Sequence, residues 1–292
     1  MTDAPVLFRE TLQSVYGPLD WLPEPDGNIH RFRVPDDKAG SLNGWYVLYL
    51  DGIASGAFGS WKTGGAMSWC SREPVDAREA EQVRERIEHA RRQREAERQR
   101  RQKNAAEWAC RWWNQARRAD PDHAYLVAKG VRGHGLRQRG DELLVPLYAN
   151  GQLVNLQRID PHGGKRFLAG GKVSASYSTF STVTPDRPLY VCEGWATGAT
   201  LHEDGGHTVA AAMNAGNLKP VALALRAKYP QQKIIIAGDD DRQTRGNPGR
   251  VAAIAAALAI DAQVVFPDWP AGASLELSDF NDLKMLGAAD GH

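Results

Sequence analysis

Hydrophobic and polar positions change rhythm several times along the chain. Through residues 1–70 they alternate, with turn signals in GNIHRF, LNGWYVLYLDG and AFGSWKTGG. That period predicts a small, mostly antiparallel β module at 1–72, with strands at 45–50 and 57–61 joined through Asp51-Gly52. From 76 to 104 the rhythm dissolves into Arg, Glu and Gln without Gly or Pro, a composition of high helix propensity. Val83, Ile87 and Ala90 make a stripe too short for a coiled coil, so 73–104 reads as a solvated helical connector. The alternative is a nucleic-acid-binding helix using Arg91, Arg92, Arg94, Arg98, Arg100 and Arg101. Helical spacing returns at Ala105, Trp108, Ala109, Trp112 and Ala116, which places these tryptophans against a core.

The stretch PDHAYLVAKG (121–130) predicts a short helix stopped by Gly130. Residues 143–148 and 153–159 flank an Ala-Asn-Gly turn and form a hairpin. From 188 onward strands and helices alternate: strands at 188–192, 208–213, 233–237 and 264–266, helices at 196–203, 218–228 and 248–260. Asn247-Pro248 marks the start of the last helix. Such alternation is the pattern of a mostly parallel, Rossmann-like sheet with crossovers. The chain therefore reads as α/β, with a basic α+β subdomain at 105–180 and a C-terminal sheet domain at 181–292.

Composition narrows the class. Of 292 residues, 42% are hydrophobic and 24% charged, ordinary values for a globular protein. No apolar run approaches the roughly 20 residues that span a bilayer, and the N-terminus lacks a basic-then-apolar leader, so no membrane partner and a cytoplasmic location are expected. Cys70, Cys110 and Cys192 are scattered and never form C-x-x-C, which argues for a reducing compartment and against zinc. The net charge of +1 conceals a basic stretch at 72–172 and an acidic C-terminal part. A basic surface beside an acidic pocket suits a metal-dependent enzyme acting on a polyanion.

The chemistry gathers around IIIAGDDD (234–241), a β-branched strand that runs into three aspartates. Oxygen ligands at a strand end suit a hard divalent ion; a solvated acidic turn is the competing account. Glu193 follows another strand of the same sheet, and parallel strands end on one rim, so Glu193 and Asp239 are expected to converge. Asp279 or Asp282 would close the cluster. Arg158, Lys165, Arg166 and Lys172 lie on turns and strand ends, where they can grip a triphosphate or a nucleic-acid backbone, or serve as ordinary surface charges. In the N-terminal module Arg31, Arg33, Trp61 and Lys62 are candidates for holding a single-stranded base and its phosphate. The competing account makes Trp45 and Trp61 core residues.

In combination these motifs resemble the Toprim domain of bacterial-type primases, topoisomerases, small nucleases and RecR-type recombination proteins. CEGWATGAT (192–200), AMNAGNL (212–218), IIIAGDDD (234–241), NPG (247–249) and DFNDL (279–283) are similar to the primases of conjugative plasmids, phages and other mobile elements. YLVAKGV (125–131), LLVPLYANGQLVNLQRI (143–159) and GKRFLAGG (164–171) resemble the basic subdomain that precedes Toprim in bacterial primases, and SWKTG (60–64) more weakly resembles their lead-in module. The resemblance implies synthesis of short RNA primers on a single-stranded DNA template from ribonucleoside triphosphates, with Mg²⁺ or Mn²⁺ and beside a separate replicative helicase. It implies Glu193, Asp239 and Asp241 as catalytic residues, with Glu193 either metal ligand or general base. Asp239, Asp241, Asp279, Asp282 and Glu193 are the implied metal set. Asn214 and Asn217 join the nucleotide- or template-binding candidates. Two departures stand out: residues 1–70 occupy the place of a zinc ribbon, and Thr197 stands where many Toprim proteins carry a second acidic residue. No GxxxxGK[ST] loop occurs, so no fused helicase is expected. A Toprim nuclease, or a non-catalytic protein binding single strands, is the alternative.

Overall fold

The computed structural model describes residues 3–35 and 37–290, without the side chains of 289 and 290. Residues 1, 2 and 36 of the expected β module, and 291 and 292 of the C-terminal domain, lie outside the described residues. The chain divides into two compact units, one ending at Arg100 and the other beginning at Arg101.

The first unit contains α1 (Ala4–Tyr16), β1 (His30–Phe32), β2 (Gly44–Tyr49), β3 (Ser55–Ser60), β4 (Ala66–Cys70) and most of α2 (Ala77–Gln115). The four strands form one antiparallel sheet in sequence order. Helix α1 is an addition to the expected β module. Its buried Phe8 and Leu12 lie one turn apart and meet Phe32, Tyr46, Leu48 and Phe58. Pro5, Phe8, Leu12 and Tyr16 recur three and four residues apart, a helical stripe that the reading of 1–70 as alternating strands passes over. The other sheet face, with Trp45, Val47 and Ala57, receives Ala90 of α2. Val83 and Ala90 are buried, so the expected connector is solvated on one side only. It also has no break before residue 105: α2 runs 39 residues, because no Gly or Pro interrupts it.

In the second unit the end of α2 is followed by β5 (Arg117–Arg118), α3 (Ala124–Lys129), β6 (Arg137–Arg139), β7 (Glu142–Ala149), β8 (Gln152–Ile159) and β9 (Lys165–Phe167). The hairpin β7–β8 is the expected one, and Gly130 ends α3 in the left-handed conformation at φ 58°. The five strands form an antiparallel sheet in sequence order, with β5 and β9 at its edges. Strand period decides what each face meets. Leu144 and Leu156 pack on Ala109, Trp112 and Trp113 of α2 and on Ala116 just beyond it. Leu143, Val145, Leu147 and Ile159 point the other way, into a core shared with Cys192, Trp195, Ala199, Val209 and Ala211. The two sheets thus share a core across the boundary expected at 180/181.

The second sheet is built from β10 (Ser178–Thr179), β11 (Leu189–Cys192), α4 (Trp195–Gly205), β12 (Thr208–Ala211), α5 (Ala215–Lys228), β13 (Ile234–Ala237), α6 (Pro248–Ala259), β14 (Gln263–Val265) and α7 (Phe280–Asp290). Strand order is β10-β12-β11-β13-β14, with β11 to β14 parallel and β10 antiparallel. The chain steps from β11 to β12 on one side and then crosses to β13 on the other. That reversal puts a crevice at the carboxyl ends of β11 and β13, where open α/β sheets place their ligands. The expected strands and helices of 188–266 match to within about three residues. Strand β10 and helix α7 were not expected: β10 is only two residues long, and α7 begins inside the acidic motif.

Candidate active site

Strands β11 and β13 are neighbours in register, Cys192 opposite Ala237. The next residues, Glu193 and Gly238, leave the sheet together, and Asp239 follows one step later. The bond from Met213 N–H to Glu193 O (2.7 Å) continues the ladder past Cys192 and fixes where Glu193 leaves it. Gly238 donates to Val265 O at 2.9 Å, and a Cβ there would collide with Ala253 and Phe266. The strand exit is therefore rigid on both sides.

The three aspartates separate into different roles. Asp240 is buried and fully engaged: its Oδ1 accepts from Asn247 (2.7 Å) and Arg250 (3.1 Å), and its Oδ2 from Trp269 (3.2 Å). These partners hold its carboxyl below the ordinary range although burial opposes them. Asp241 Oδ2 accepts the Gly249 N–H at the start of α6 (2.8 Å), an approach that a Cβ on Gly249 would block. Asn247, in the left-handed region at φ 45°, caps α6 and also accepts the Asp241 N–H at 2.9 Å. Asp239 differs from both: its Oδ1 is buried and has no hydrogen-bond partner.

Four carboxylates share the rim. Burial, then Glu193, Asp279 and Asp241, push the Asp239 carboxyl up to about 8, with Lys165 opposing. Burial and Asp241 likewise raise Glu193, against the Ala215 N–H and Lys165. Lys165 is lowered by burial and by Lys129, while Asp279, Asp239 and Glu193 pull it upward. Its ammonium lies 5.9 Å from the Tyr125 ring centre, in a cleft of about 610 Å³ lined by Tyr125, Lys129, His162, Asp282 and Met285. Asp279 is fixed by Thr197, whose hydroxyl donates to its Oδ2 at 2.9 Å. The departure from the acidic Toprim pattern thus leaves a side chain that positions another carboxylate.

The unpartnered buried oxygen of Asp239, with Glu193, Asp241 and Asp279 as neighbouring carboxylates, fits a hard divalent cation such as Mg²⁺ or Mn²⁺. Among the described residues, ligand atoms from three such side chains come within 4.8 Å of one another only at exposed Glu24 and Asp26 and half-buried His30 in the first unit. There Asp26 already accepts from Asn28 and pairs with His30, which accounts for the grouping without an ion.

The other candidates are held in other contacts. Asp282 completes a capping box at the start of α7: its Oδ2 accepts from Ser278 (3.0 Å), its N–H donates to Asp279 (2.8 Å), and its Oδ1 pairs with Lys129 (3.4 Å). Arg158 and Arg166 are cross-strand partners on the sheet face opposite Lys165, so strand period turns them away from the carboxylates. Arg158 pairs with Glu142 at 3.3 Å. The carbonyl of Lys172 accepts from Asn155 (3.2 Å). Asn214 caps α5, and Asn217 is buried, bonded to Ala175, Ser176 and Ala212. In the first unit Arg33 donates to the Asp37 carbonyl and Lys62 to its carboxylate at 2.8 Å. Arg31 bonds the Leu42 carbonyl and lies 5.7 Å from the Trp61 ring centre. Trp45 is core, and half-buried Trp61 stands 6.2 Å from it with Arg94 over both rings. Sequence reasoning missed Thr197 as a positioning group and Lys129 as a cation of the cleft. The Lys-Gly pair closing a predicted helix was the available signal for Lys129.

No described helix is long and apolar enough to cross a membrane. Residues 188–290 match the family model described as Toprim domain. Two Escherichia coli proteins named DNA primase TraC are each 34% identical, over 91% and 84% of this chain. The chain spans about a quarter of the length of one of them and under a fifth of the other (26% and 18%). A chain in the structure of bacteriophage T7 lagging-strand DNA polymerase with the primase domains of two gp4 subunits aligns at 18% identity and a TM-score of 0.43, covering 56% of this chain and 86% of that one. The parallel sheet and its carboxylate rim at 188–290 are thus a Toprim domain, on a chain similar through most of its length to a segment of DNA primase TraC.

Proposed function

We propose that this chain is the catalytic part of a DNA primase, making short RNA primers on single-stranded DNA by metal-dependent nucleotidyl transfer. The observation that carries this reading is the meeting of Glu193, Asp239, Asp241 and Asp279 at one rim, with Lys165 facing them. The 34% identity to DNA primase TraC supports it. A bound Mg²⁺ or Mn²⁺ supplies charge neutralisation at the transferring phosphate. Asp239 and Asp241 are its principal ligands in this scheme, and Thr197 holds Asp279 ready as a third. Glu193 shares the ion or takes the proton of the attacking 3′-hydroxyl. Lys165 and Lys129 line the cleft that receives triphosphate oxygens, supplying positioning and electrostatic stabilisation. The template and the ribonucleoside triphosphates are the substrates, and a separate helicase is the partner this role calls for.

The test is gel analysis of labelled ribonucleotides on single-stranded templates with Mg²⁺ or Mn²⁺. Oligoribonucleotides that disappear in Asp239→Asn support the proposal. A shortened template would make the chain a nuclease, and no product with intact template would make it a binding module.

A further inference from the structure

The arginines turned away from the carboxylates are not scattered. On the outer face of the five-stranded sheet, Arg139, Arg158 and Arg166 lie on β6, β8 and β9, and the end of α2 packs on the same face. Trp108 and Trp112 stand one turn apart on that helix. The Arg139 guanidinium lies 4.3 Å and that of Arg158 5.7 Å from the Trp112 ring centre, and Arg111 lies 4.5 Å from that of Trp108. Trp108 is 50% exposed, a large apolar ring left open beside a cation. Among the described residues only Arg158 of these four arginines has a carboxylate partner, Glu142. Packing alone does not require this: the core beneath is closed by Ala109, Leu144 and Leu156, which are fully or almost fully buried.

We propose that this Trp–Arg face is a second nucleic-acid surface, which holds the single-stranded template away from the site of chemistry. Charge complementarity and an exposed indole fit a strand with unpaired bases: the arginines take phosphates and Trp108 takes a base face. A route to the rim exists because β9 is an edge strand. Lys165 points to the carboxylates and the next residue, Arg166, to the outer face, so a backbone rounding that edge meets a cation on each side. The proposal rests on the primase reading only for the identity of the strand, and its test needs neither metal nor nucleotide.

The full chain is titrated in EDTA against a fluorescein-labelled single-stranded oligonucleotide, by anisotropy at several salt concentrations. Trp108→Ala is expected to weaken binding roughly tenfold. Arg139→Ala combined with Arg166→Ala is expected to weaken it to a similar extent and to flatten the slope of log affinity against log salt, by about 0.7 per lost phosphate contact. Arg166→Lys keeps the charge and is expected to restore most of the affinity, which a folding defect would not allow; thermal melts of each variant check the fold. Unchanged affinity and salt slope in Trp108→Ala and in the arginine pair would overturn the proposal, as would equal preference for a blunt duplex. Failure of primer synthesis with binding intact would count against the catalytic reading alone.

Discussion

Neighbouring carboxylates in the run 239–241 differ because each meets a different set of donors. Asp240 spends both oxygens on Asn247, Arg250 and Trp269, whereas Asp239 keeps one buried oxygen without a partner. Asp239→Asn is therefore expected to lower nucleotidyl transfer by about three orders of magnitude or more while the fold is kept, measured as initial rate beside circular dichroism. Added Mg²⁺ is expected to raise the melting temperature of the unaltered chain and not that of the variant. Thr197 gives a subtler test. Removing its hydroxyl with Thr197→Val frees Asp279 at the cost of one charge-assisted hydrogen bond, and a loss of roughly tenfold in rate is expected. Thr197→Ser is expected to recover most of that rate, and a raised metal requirement in the valine variant would identify positioning as the cause. At this scale the sequence was informative about which carboxylates come together and silent about how they are held. Glu193 and Asp239 follow hydrophobic strands, and parallel strands must end together. Nothing local marks Thr197 as the partner of a residue 82 positions away.

Among the elements, those whose period was long came through clearly. The hairpin at 142–159 and the alternation of strands and helices at 188–266 carry enough turns or pleats to fix their type. Two-residue β10 carries no period at all, whereas the α1 stripe of Pro5, Phe8, Leu12 and Tyr16 was present and lay in a segment read as alternating strands. The assignment of cations to one wall failed for a geometric reason: in a strand, adjacent residues face opposite ways, so Lys165 and Arg166 cannot serve the same pocket. Helix ends carry energetic weight as well. Glu203, near the end of α4, accepts the Arg132 N–H (2.8 Å), pairs with His134 (2.6 Å) and Lys284 (3.4 Å), and is 11% exposed. Burial raises its carboxyl, but these partners together hold it below the ordinary 4.5. A carboxylate lowered on folding stabilises the folded state above its unfolded pKa, and loses that contribution as pH falls through the folded value. Glu203→Gln is expected to cost about 1–2 kcal/mol at pH 7, with the difference from the unaltered chain shrinking below about pH 4.5, read from urea unfolding at a series of pH values.

At the scale of the whole molecule, the chain divides into two compact units at Arg100 and Arg101, and in the second the two sheets share a core through Leu143, Val145, Leu147 and Ile159. Composition marks sheets and linkers, but not which apolar faces close on one another. A chain beginning at Arg101 is accordingly expected to fold cooperatively and to keep its Mg²⁺-dependent stabilisation, measured by calorimetry with and without the ion. The turn between β8 and β9, five residues from Asp160 to Gly164 tied by Asp160 and Gly163, has a consequence for how such a chain tolerates change in length. Because side chains on a strand obey parity, deleting one residue there exchanges the two cations across the sheet, while deleting two restores each to its side. Length variants of this turn would then alternate between silent and competent, an odd–even signature that substitution alone cannot produce.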